Sequence, residues 1–158
     1  MPLLRALVLC LALAACSGGG DDEAAEEVDP KKAYVEAASK VCSDADAQFA
    51  RLTAPATPAE FGPYVTQTVQ IAENVQTDLA ALTPPEQDRA ELERKVLDPF
   101  AALVTSGKEF SARVTAAGAD EAQLLPLLAE RPTSAGIDKE YLRSYGLQSC
   151  ADAVSRVG

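Results

Sequence analysis

The sequence predicts an all-α fold, a four-helix-bundle-like domain with three longer helices and a fourth side of short C-terminal helices. Three observations carry this. From residue 30 onward apolar residues recur at intervals of three and four, and no stretch alternates long enough to mark a strand. Caps and prolines punctuate the chain at Asp29-Pro30, Thr57-Pro58 and Pro84-Pro85. Gly118 and Gly146 stand where apolar stripes end, as helix-terminating glycines do.

Each element follows in turn. Asp29 offers an N-cap oxygen, and Pro30 fills the first helical position, where its missing N–H costs nothing. Tyr34, Ala37, Ala38, Val41, Cys42, Ala45, Phe49 and Leu52 then form one stripe, predicting a helix over 30–52. Thr57-Pro58-Ala59-Glu60 reads as a capping box that opens a second helix. Its seam of Phe61, Val65, Thr68, Ala72, Val75, Leu79 and Leu82 suits shallow-angle packing against a neighbour. Thr83-Pro84-Pro85-Glu86 stops that helix and caps a third, which extends over 84–117. Pro99 falls inside the third helix and removes a ladder bond, so a kink is expected near residues 95–98. Such a kink reads first as a helix curving round a solid core, and second as the opening of a cavity. The stretch 120–131 is a short helix interrupted by Pro126, 131–136 is a loop, and 138–145 and 147–157 are two final short helices.

Composition narrows the chemistry. The 158 residues carry 14 Lys and Arg against 24 Asp and Glu, a formal charge of −10, with no His. Without imidazole there is no Ser-His-Asp triad, no Cys-His pair and no His metal ligand. The acidic balance argues against nucleic acid, whose phosphates need clustered Lys and Arg. No glycine-rich phosphate loop and no paired carboxylates stand out. Asp44 and Asp46 lie two apart on different helix faces and read as solvated acids. Tyr141 and Tyr145, one turn apart, read as core-edge rings with wet hydroxyls. The chain is therefore expected to be no enzyme and to use no cofactor and no metal.

The N-terminus bears on location. Met1 to Arg5 has one positive charge, and residues 6–13 form an apolar run far below the roughly 20 needed to span a bilayer. Leu13-Ala14-Ala15-Cys16 follows, an aliphatic residue, two small ones and a cysteine. In these residues the chain resembles the bacterial membrane lipoproteins. The resemblance implies removal of residues 1–15 as a signal peptide and acylation of Cys16. Two or more acyl chains, at about 0.8 kcal/mol per buried CH₂, would hold the product at the extracytoplasmic face of the cell membrane. Residues 16–29, rich in Gly and acids, read as a solvated tether of about 20 Å in front of a domain over 30–158. The helix-borne cysteine, the Leu82-Thr83-Pro84-Pro85 junction and the late Tyr145-Gly146-Leu147-Gln148-Ser149-Cys150 resemble small all-helical actinobacterial lipoproteins, a likeness that transfers no activity.

Four cysteines are present. Cys10 leaves with the signal and Cys16 takes lipid, so Cys42 and Cys150 remain in an oxidising compartment. A redox or metal pair lacks the Cys-x-x-Cys spacing and any His, and a structural disulfide between them is expected. The functional expectation is a lipid-anchored extracytoplasmic interaction module with a protein or envelope partner. The alternative is a carrier or sensor of a small apolar ligand held within the bundle, which requires a pocket of several hundred Å³.

Overall fold

A computed structural model of the chain describes residues 29–156. The expected signal peptide, acylated Cys16 and tether up to residue 28 lie outside them. The described residues are all-α: α1 (Pro30–Phe49), α2 (Pro58–Ala80), α3 (Arg89–Leu92), a π-helical segment (Glu93–Leu97), α4 (Asp98–Ala117), α5 (Glu121–Ala129), a 3₁₀ turn (Ser134–Gly136), α6 (Lys139–Tyr145) and α7 (Gln148–Arg156). Among them there is no strand.

The Asp29 carboxylate caps α1 by accepting from the Lys31 N–H at 2.9 Å. The helix ends at Phe49, three residues before the expected Leu52, because the chain tightens into i→i+3 turns ahead of Pro55. Glu60 caps α2 by accepting from the Ala56 and Thr57 amides. The third helix starts at Arg89 and not at 84. A residue before proline avoids the helical region, so Pro84-Pro85 cannot begin a helix; instead the Pro85 carbonyl takes the Asp88 and Arg89 amides.

α2 and α4 run antiparallel along a seam of small residues. A Cβ on Gly62 would stand 3.7 Å from the Thr115 Cα. Thr66 and Ser111 hydroxyls meet at 3.1 Å, and Lys108 pairs with Glu73 at 2.7 Å further along. α1 and α7 lie side by side, joined by the Cys42–Cys150 disulfide, with Cα atoms 5.0 Å apart, and by the Ser149 hydroxyl donating to the Ser39 carbonyl.

The π-helical segment, which lies where the kink was expected, has a definite backbone cause. Pro99 has no N–H for the Lys95 carbonyl four residues back. The helix widens instead, with the Asp98 amide reaching the Glu93 carbonyl one residue beyond the α pattern. The freed Lys95 carbonyl accepts from the Asp138 backbone amide at 3.0 Å. The defect in one helix thereby anchors the loop that leads to the next, and that loop inserts Ile137 into the core.

Fully buried side chains gather in two clusters. One joins Tyr34, Ala38 and Cys42 of α1 to Leu79, Leu92, Val96, Leu142, Tyr145 and Cys150. The other, at the opposite end, joins Phe110, Val114 and Ala117 of α4 to Leu124 of α5. No single helix runs the length of the fourth side, and the middle of the bundle is left under-filled.

Candidate functional site

Between the two clusters lies a cavity of about 470 Å³. Well-packed interiors hold few voids larger than a water molecule, and an engineered apolar void of about 150 Å³ already takes up benzene. A hollow of this size falls within the range of about 300–1,000 Å³ occupied by ligand pockets.

Its wall is apolar. All four phenylalanines of the chain, Phe49, Phe61, Phe100 and Phe110, line it. The seam of α2 faces it as well. That stripe was expected to pack against a neighbouring helix, yet Phe61, Val65, Thr68, Ala72 and Val75 are only half-buried. The reason is volume. Between Val65 and Val75 the seam offers only Thr68 and Ala72, and α4 presents Gly107 opposite Val69. Val69 meets α4 closely at Gly107, while Thr68 and Ala72 are too short to fill the space that they line. Leu97 of the π-helical segment and Phe100, Leu103 and Val104 of α4 form a further part of the wall. The π-helical segment therefore borders a cavity, where a solid core had been the first reading.

Beside the hydroxyls of Tyr34, Tyr64 and Thr68, three charged groups line the cavity. Asp46 and Arg156 form an ion pair there, and Arg131 is a further charged group on the wall. Of all the lining residues only Arg131 and Arg156 are exposed, which marks where the hollow reaches solvent. Asp46 is thus part of the cavity edge, while Asp44 pairs with Lys40 on the outer surface as the solvated-acid reading had it.

Tyr141 and Tyr145 belong to the opposite end. Their rings stack with centroids 5.7 Å apart, and Tyr34 meets Tyr145 edge-on at 6.3 Å. The Tyr145 hydroxyl is not wet: it donates to the Asp88 carboxylate at 2.8 Å. Burial, then that bond, pushes this hydroxyl well above the ordinary tyrosine range. Lys31 and Lys95 cover the outer ring faces at 4.2 and 4.4 Å. The cluster is a closed structural cap.

Cys42 and Cys150 are bonded, and their disulfide touches the cavity wall. Among the described residues no group of three or more Cys, Asp or Glu is placed to hold a metal ion, and no helix is long and apolar enough to cross a membrane. Sequence reasoning missed Phe49, Arg131 and Arg156 as site residues. The usable signal was the run of small residues in the middle of the α2 seam. No protein-family model matches the chain, and neither a curated protein nor a solved structure matches it.

Proposed function

We propose that this chain is a lipid-anchored extracytoplasmic bundle that carries or senses a small apolar ligand held between its helices. The cavity with its four phenylalanines is the observation that carries the reading. Maintaining such a hollow forfeits dispersion contacts along its whole wall, a cost that an occupant would offset. The alternative, a surface interaction module, has less support. Among the described residues the one large hydrophobic side chain exposed is Leu125. A solitary leucine offers no apolar patch for a partner helix.

The Cys16 anchor rests on the sequence motif, and would keep the carrier beside the bilayer from which an apolar ligand comes. The test uses phenylnaphthylamine, a neutral dye that fluoresces in dry apolar sites. Saturable fluorescence with the wild-type chain, lost in Ala72→Phe while the fold persists by circular dichroism, is the expected result. Unchanged dye binding in Ala72→Phe, or none in wild type, overturns the reading. Native mass spectra of membrane-extracted protein would add the mass of any retained ligand and of acyl chains on Cys16.

A further inference from the structure

We infer that the ligand is a single-chain amphiphile with an anionic head, its chain in the hollow and its head held by Arg131 and Arg156; this rests on the carrier reading above. The charge distribution points to it. The chain is strongly acidic, 24 acids against 14 bases, yet two of the three charged groups lining the cavity are arginines. Those two are also the exposed ones, so the positive groups stand where the apolar wall ends and solvent begins. A purely apolar ligand would leave Arg131 without an anion and Arg156 with Asp46 alone. A carboxylate or phosphate at the mouth would accept from their guanidinium forks while its chain lies along the phenylalanines.

Both arginines are held near the mouth by backbone structure. The Ser134 hydroxyl donates to the Val154 carbonyl at 3.0 Å, tying the loop that follows Arg131 to the helix that carries Arg156. Asp46 is the anion that Arg156 holds at this edge. Its bond to Arg156 lies at the surface, with the Arg156 side chain 64% exposed, and such pairs are weak enough for an incoming head to replace. Among the described residues Arg131 forms no ion pair and is ready to receive a second oxygen.

The experiment is calorimetric titration of the full-length chain, stripped of co-purified lipid, with dodecanoate, dodecyl phosphate, dodecanol and dodecylammonium near neutral pH. Dodecanol should bind, and the two anions should bind about tenfold tighter, the yield of a charge-assisted contact at a partly wet rim. The tighter of the two anions identifies a carboxylate or a phosphate head. Arg131→Gln/Arg156→Gln should erase the anion preference, so that dodecanoate and dodecyl phosphate bind no tighter than dodecanol. Asp46→Asn should raise the preference for the anions over dodecanol a few-fold, opposite in sign to the arginine change, which a merely structural role would not produce. Equal binding of dodecanoate and dodecanol, tighter dodecylammonium, or a preference that survives in the double variant each overturns the head-group assignment and leaves the carrier reading intact. If none of the four binds, the carrier reading itself falls.

Discussion

The ends of this bundle and its middle are built from the same kinds of residue and behave differently. At the ends, Val114 and Ala151 are completely buried, each enclosed by its cluster. In the middle, Val69 and Ala72 of α2 also turn inward, yet they line the cavity and remain half-buried. Periodicity decides which face of a helix turns inward; the sizes of the opposing side chains decide whether that face finds a partner. A stripe is therefore evidence for an interior and not for a filled one.

The largest expected effect comes from breaking the packed end at its covalent tie. The disulfide closes a sequence separation of 108 residues. In the chain-entropy account Cys42→Ser/Cys150→Ser should lose about 4 kcal/mol, read as a lower urea midpoint against the oxidised wild type. An unchanged midpoint would mean that the end cluster holds without its tie. Next comes a matched pair of truncations. Val114→Ala removes buried methyls and leaves a cavity, costing about 2 kcal/mol. Val69→Ala only widens an existing hollow and should cost about 1 kcal/mol or less. Equal midpoints for the two would erase the distinction between ends and middle.

Insertion reverses the test. Ala151→Leu overfills a closed site and should cost about 1–3 kcal/mol, whereas Ala72→Leu adds contacts inside the hollow and should be neutral or stabilising in thermal melts of the empty protein. A strongly destabilising Ala72→Leu would show that the middle is already filled.

Much of the fold was legible. Asp29, Glu60 and Gly146 act as the caps and stop their positions predict: Gly146 closes α6 with a φ of 104°, where a Cβ would be strained. Pro99 announced a break in the α ladder, seen as the π-helical segment, because the lost N–H is a local property of the residue. The start of the third helix was missed because Pro85 constrains Pro84 more strongly than the cap signal at Thr83 acts. The site was less legible for a different reason. Whether Phe61 touches Phe100 or faces it across a gap depends on the spacing between helices, which no stripe encodes. Arg131 and Arg156 reach the same cavity from segments that meet only through tertiary packing.

The smallest effect sharpens the contrast from the polar side. The Tyr145 hydroxyl is held protonated at the packed end by burial and by its bond to Asp88, so its folded-state pKa lies above the unfolded value of about 10. A raised pKa means that the stabilisation is complete below the unfolded value and fades as pH climbs through the folded one. Tyr145→Phe should therefore cost about 1 kcal/mol at neutral pH, and less as the solution becomes strongly alkaline. The Tyr34 and Tyr141 hydroxyls, their pKa values also raised by burial, are present in both proteins, so the difference between their alkaline melting curves isolates Tyr145. If the cap at this end were loosely packed, the hydroxyl would titrate near its ordinary value. The two curves would then run parallel, and tyrosinate absorbance would appear before unfolding. Curves that converge with rising pH place a buried, bonded hydroxyl at one end of the same bundle whose middle stays open.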